Sequence, residues 1–179
     1  MIILGYLFTV LNYAFYYLSR FMKQKVTILT LELVAKIFNI LALYCLSSLS
    51  GVYTFIVTFF LLIVVNIKER LGKEWLWGYI FFQSLYFIIL YTTYAGISSI
   101  LVVLTVSINL FAIWFWPPQK MRLAGTAGCI TYLAYQISIK NWAGLLEIFA
   151  LFSNVISFIK YKKKKRTKIR KSLTAQRRR

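Results

Sequence analysis

Acid–base and metal chemistry draw on carboxylates, imidazoles and thiolates, and this sequence offers few of them. It has no His and no Asp, four Glu (Glu32, Glu69, Glu74 and Glu147) and two Cys, Cys45 and Cys129. A nucleophilic triad would lack its base, and the two cysteines sit in separate apolar runs without ligand spacing. The inventory argues against an enzyme and implies no metal and no cofactor. Both cysteines read as small core residues. A retinal-type Schiff base would need a lysine deep in the last apolar run, which holds none before Lys160.

What remains is charge in an apolar setting. Glu32, Lys36 and Asn39 stand at i, i+4 and i+7 and share one helix face. Ionisable groups at membrane depth are costly, and they mark function by default. At 1.5 Å per residue Glu32 lies roughly 8 Å and Lys36 roughly 14 Å from the near surface, and Glu147 roughly 9 Å from the opposite one. Lys36 between two glutamates makes a buried cluster of net charge −1. Such a cluster binds a proton or cation, or holds a polar solute through charge-assisted hydrogen bonds. The bland alternative is a structural ion pair with one member snorkelling to the interface.

Polar stripes extend the candidate site. Thr9, Asn12, Tyr16 and Ser19 share a face, as do Ser98, Thr105 and Asn109, and Glu147, Asn154 and Ser157. Amides in a bilayer must find partners, so these faces point inward, either to line a cavity or to bond helix to helix. The candidate solute-binding residues are therefore Lys36, Asn39, Glu147, Asn109, Asn12 and Asn154. Glu32 and Glu147 are the candidates for ion or proton coupling.

The elements that must position these groups are membrane spans. The chain has 179 residues, 60% of them hydrophobic, with a mean hydropathy of +0.71. A crossing needs about 17 to 25 helical residues. Charges, Gly, Pro and Ser clusters divide the sequence into seven runs of that order, at 2–22, 27–46, 51–67, 75–92, 96–116, 123–139 and 142–159. Several runs are short, so six crossings with a re-entrant segment is the alternative. The first run has no basic lead-in or cleavage site and reads as a retained span.

Charge between the runs alternates. The first, third and fifth connections carry Arg20, Lys23, Lys25; Lys68, Arg70, Lys73; and Lys120, Arg122, and twelve further Lys and Arg lie between Lys160 and Arg179. The other connections hold only Lys140. By the positive-inside rule the N-terminus is outside and the C-terminus cytosolic, which needs an odd number of spans. Trp75, Trp77, Trp114, Trp116 and Trp142 fall near span ends, where indole favours the headgroup level.

The chain thus divides into a transmembrane domain, 1–160, and a basic cytosolic tail, 161–179. In the tail Lys162, Lys163, Lys164, Lys165 and Arg166 suit anionic lipid headgroups. The tail has no aromatic interleaving or groove-reading motif, so nucleic acid is not an expected partner. The other expected partners are the bilayer, a small solute and a second copy of the chain.

A weak internal repeat is visible. Tyr44-Cys45-Leu46-Ser47 resembles Tyr135-Gln136-Ile137-Ser138, and each is followed by a turn and a Gly, Gly51 or Gly144. Lys23-Gln24-Lys25-Val26 resembles Gln119-Lys120-Met121-Arg122-Leu123. The pattern predicts an all-α membrane protein of three plus one plus three helices with parallel repeats. In the sixth run Ala124-Gly125-Thr126-Ala127-Gly128-Cys129 would let another helix approach closely.

The segments Arg122-Leu123, Thr131-Tyr132-Leu133-Ala134-Tyr135, Gly144-Leu145-Leu146-Glu147 and Ser153-Asn154, with Leu43-Tyr44-Cys45-Leu46 and Gly51-Val52-Tyr53, resemble the YgjV-like bacterial inner membrane proteins. The resemblance covers most of residues 5–160 and implies the bacterial cytoplasmic membrane. Its layout is similar to SWEET sugar carriers, PQ-loop transporters and PnuC vitamin carriers. Pro118-Gln119 looks like a PQ dipeptide, but it stands at the end of a span and the first half lacks it, which fits a loop turn better than a hinge. The resemblance implies transport of a small polar solute through a site between two three-helix repeats. The alternative is a receptor, regulator or assembly factor in which the buried polar residues serve packing.

Overall fold

The computed structural model describes residues 1–72 and 75–160, and every regular element among them is helical. The tail, with Lys162, Lys163, Lys164, Lys165 and Arg166, lies outside the described residues, as do Lys73 and Glu74. Seven helical segments follow in order: α1 (Ile2–Arg20), α2 (Lys25–Cys45), α3 (Leu49–Leu71), α4 (Leu76–Thr92), α5 (Ile97–Phe115) and α6 (Pro118–Ser138), then α7 (Trp142–Lys160). The last opens as a 3₁₀ turn, Trp142–Leu146, and continues as α-helix.

Five of the seven, α1, α2, α3, α5 and α7, are long and apolar enough to cross a membrane. The helix α4 is as apolar but has 17 residues, about 26 Å of rise and close to the minimum for a crossing. The helix α6 has 21 residues, and its Gly, Thr, Gln, Lys and Arg content dilutes its hydropathy. No helix start carries a side-chain cap. Pro118 opens α6 at a position where its fixed φ suits the first turn and its missing N–H is no loss. The Pro118-Gln119 pair is thus a helix start. Gly72 ends α3 at φ 64°, a left-handed conformation that glycine adopts without strain.

The packing closes a ring. Helix α1 lies on α2, α2 on α3, α3 on α5, α5 on α6, α6 on the first turn of α7, and that turn returns to α1. Helix α4 packs outside the ring on α3 and α5, burying only Phe82 and Tyr86. The apolar core joins Leu29 and Leu43 of α2, Phe55 and Leu62 of α3, and Leu110 and Tyr135 of α5 and α6. Leu7, Ile37, Phe60, Phe81, Leu104 and Phe152 point outward. On a soluble protein such a surface would aggregate; here it faces acyl chains.

Two turns are built alike. After α2 the backbone amides of Leu46, Ser47 and Ser48 donate to Ala42, Tyr44 and Leu43; after α6 those of Ile139, Lys140 and Asn141 donate to Tyr135, Ile137 and Gln136. The only non-glycine residues at positive φ among the described residues occupy the same place in each turn, Ser47 at 58° and Lys140 at 57°.

The basic residues of the connections divide into two kinds. Lys23, Arg70 and Lys120 are exposed, and Lys25 meets Glu69 at 2.6 Å in a partly buried pair. Arg20, Lys68 and Arg122 are instead buried, at 5%, 6% and 2% exposure, and this corrects their reading as loop cations. They serve helix ends. Arg122 donates from Nη2 to Met22 O at 2.7 Å and from Nε to Arg20 O at 3.3 Å, and Lys68 donates to Trp114 O at 2.8 Å. The last carbonyls of α1 and α5 have no intrahelical donor, and a cation suits that end of the dipole. Trp114 moves inward with its carbonyl. Its ring is 2% exposed and lies against Gly78, so it packs on protein, whereas Trp77 and Trp142 are exposed.

Candidate functional site

Inside the ring is a cavity of about 60 Å³, room for several waters. Every helix of the ring contributes wall, and α4 contributes none. From α1 come Asn12, Tyr13, Tyr16 and Arg20; from α2, Glu32 and Lys36; from α7, Glu147. From α3 come Phe55 and Thr58, from α5 Thr105 and Asn109, and from α6 Cys129 and Tyr132. The helical repeat explains the selection: Asn12, Tyr16 and Arg20 stand four residues apart on one stripe, as do Glu32 and Lys36.

Charge in the cavity is balanced, where the sequence predicts a net −1. Arg20 is the added cation. Its Nη2 stands 2.7 Å from Glu32 Oε1, with both side chains nearly fully buried, and its guanidinium lies 4.1 Å from the centre of the Tyr16 ring. Glu32 therefore forms its ion pair with Arg20 and not with Lys36, which gives the structural-pair alternative its cation. The polar stripe of α1 continues one turn beyond Tyr16 to Arg20. That continuation was the available signal, hidden because Arg20 also looks like an ordinary span-flanking cation.

Lys36 and Glu147 are the other two charges, on α2 and α7. Among the described residues neither has an opposite charge within 4 Å. The Lys36 ammonium sits 4.6 Å from the centre of the Phe55 ring, where the aromatic face offers partial compensation. Glu147 is 4% exposed, and its polar neighbours are the Tyr13 hydroxyl and the Cys129 thiol.

The amides divide between wall and support. Asn12 and Asn109 line the cavity. Asn39 and Asn154 are fully buried behind it and do not line the wall. Asn39 Oδ1 accepts from Tyr132 Oη at 2.9 Å, and Asn154 Nδ2 donates to Cys129 Sγ at 3.3 Å. Each holds a wall residue in place. Sequence reasoning missed Tyr13, Phe55, Thr58 and Tyr132, because aromatic and hydroxyl residues in apolar runs carry no sign of which way they face.

The small-residue run of α6 does admit neighbours closely, and they are amides. A Cβ on Gly128 would stand 2.9 Å from Asn109 Nδ2, and one on Gly125 would stand 3.3 Å from Asn154 Nδ2. Gly128→Ala will displace Asn109 from the wall and lower stability by about 1–3 kcal/mol. Gly125→Ala, with its looser contact, will cost less. Thermal unfolding in detergent checks the order; equal melting temperatures for the two variants would contradict the packing described.

The cavity can hold water or a small polar molecule between two cations and two carboxylates. No curated protein and no solved structure matches the chain. Residues 3–165 match the sequence profile of Imp-YgjV, bacterial inner membrane proteins, and the chain belongs to that family.

Proposed function

We propose that the protein carries a small polar solute across the inner membrane, holding it in the ring cavity and exposing it alternately to either side. The observation that carries this reading is that the walls from α1 and α2 have equivalents in those from α5 and α6. The helix α2 runs from 25 to 45 and α6 from 118 to 138, so one constant offset of 93 residues relates both ends. The same offset relates the matched turns at Ser47 and Lys140, and Gly51 to Gly144. Tyr44 then falls opposite Ile137, so the glycines and not the tyrosines give the register of the repeat.

Ten of the nineteen residues that line the cavity fall in this register. Asn12, Tyr13, Tyr16 and Arg20 correspond to Thr105, Val106, Asn109 and Ile113, and all eight line it. Lys36 corresponds to Cys129, and both line it as well. Asn39 and Tyr132, 93 residues apart, bond directly to each other, as residues beside a two-fold axis do. The ring order α1–α2–α3–α5–α6–α7 is what such an axis along the membrane normal would generate, with α4 as the linker. Parallel repeats around a midplane polar site are the architecture of alternating-access carriers. Buried amide pairs such as Asn141 with Gln136 at 3.0 Å fit the packing role of the receptor or assembly-factor reading, but that reading leaves Lys36 and Glu147 unexplained.

The test is labelling with a membrane-impermeant thiol reagent in a chain lacking both native cysteines. Ser47→Cys and Lys120→Cys set the frame: with the N-terminus outside, the first labels from the periplasm and the second from the cytosol. Asn12→Cys and Asn109→Cys will label from both sides in turn, and a bound solute will shift the ratio. Labelling of both wall positions from one side only, under all conditions, rules out alternating access.

A further inference from the structure

The four charges of the cavity are not equivalent, and the difference specifies a ligand. Arg20 and Glu32 satisfy each other at 2.7 Å. Lys36 and Glu147 face the same cavity from α2 and α7, and neither has a counter-charge within ion-pair distance among the described residues. An ammonium or a carboxylate removed from water without its complement is costly. An occupant supplying one charge relieves one of the two; a neutral polyol relieves neither. A molecule carrying both an anion and a cation relieves both at once.

We infer that the solute is a small zwitterion, its carboxylate held by Lys36 and its ammonium by Glu147; the inference rests on the carrier reading of the cavity. Size narrows the class. A space of about 60 Å³ takes about five non-hydrogen atoms at the volume each water centre needs, which is glycine or its nearest homologues. The surroundings suit each end. Phe55 now faces the Lys36 ammonium at 4.6 Å, a contact that a carboxylate can displace without leaving a hydrogen-bond acceptor unpaired. The Tyr13 hydroxyl neighbours Glu147 and lines the same cavity. Thr105 is already engaged, its single hydroxyl proton shared between Leu101 O and Thr131 Oγ1, so the Asn12 and Asn109 amides of the wall are left to read the ligand's middle.

Glycine can be cut into its two charges. Titration calorimetry of the purified full chain with glycine, acetate, methylamine and neutral acetamide tests the inference directly. Glycine will bind at least tenfold more tightly than the other three. In Glu147→Gln the preference will invert, with acetate binding as well as or better than glycine; in Lys36→Met methylamine will do so. Equal binding of glycine and acetamide to the unaltered protein overturns the inference. So do variants that lose glycine and gain neither fragment, because that pattern marks a structural role. The carrier reading fails separately. Glycine binding with no flux in proteoliposomes overturns transport and keeps the ligand class, whereas flux of a neutral solute without glycine binding does the reverse.

Discussion

Replacing Arg20 with Met will lower the stability of the protein by about 3–5 kcal/mol, the cost of leaving a buried charge without its partner. The abandoned group is Glu32, 4% exposed and 2.7 Å from the guanidinium it would lose. No second cation takes over, because Lys36 is not within ion-pair distance of Glu32 and is seated on Phe55. The loss of the guanidinium stacked over Tyr16 at 4.1 Å adds a smaller increment. The double variant Arg20→Met with Glu32→Leu removes both charges and will recover most or all of the stability, as apolar replacement of a buried pair commonly does. Chemical unfolding in mixed micelles measures all three proteins. A single Arg20 variant as stable as the parent would mean that water reaches Glu32 and that the pair is not buried.

Lys36→Met will behave differently. Lys36 holds no ion pair within 4 Å, so its replacement by a side chain of similar length costs far less stability than that of Arg20. Solute exchange will nevertheless fall by roughly 30- to 100-fold, since a charge-assisted contact in a dry site contributes about 2–3 kcal/mol. Counterflow of labelled glycine in proteoliposomes is the first assay, with the melting temperature measured on the same preparation. Dead but stable is the signature of a group kept for function at a cost to the fold. If exchange is unaffected, Lys36 has no part in transport. If exchange and stability fall together, its role is structural, like that of Arg20.

The contrast between these two cations shows what the sequence could and could not convey. Seven apolar runs, their approximate ends and the alternation of basic connections are one-dimensional properties, and the helices follow them to within a few residues at most ends. The ends that differ do so for local reasons. The helix α6 starts at Pro118, five residues before the apolar run, because proline opens a helix well and the polar first turn is buried against α1 by Arg122. The helix α3 continues to Leu71 past the last apolar stretch, because Lys68 is needed over the end of α5. The depth assigned to Lys36 and Glu147 is an expectation from counting residues along a helix.

Which groups meet was not legible. Composition and spacing place Arg20, Lys68 and Arg122 at span ends, but a span-end cation can face lipid headgroups, water or the carbonyl end of a neighbouring helix. Only helix rotation and neighbour order decide among these. The same holds for the amides. Asn12 and Asn109 reach the cavity while Asn39 and Asn154 stand one layer behind it, although all four look alike as single polar residues in apolar runs. The repeat was visible in sequence but two residues out of register at the tyrosines, because aliphatic matches are common and only the turn geometry at Ser47 and Lys140 is stringent. Sequence by itself therefore determined the helical elements and the family, which follow from the pattern of residue types along the chain. The tertiary structure alone decided the pairing of Glu32 with Arg20 and the isolation of Lys36 and Glu147, because pairing depends on distances between residues from helices remote in the chain.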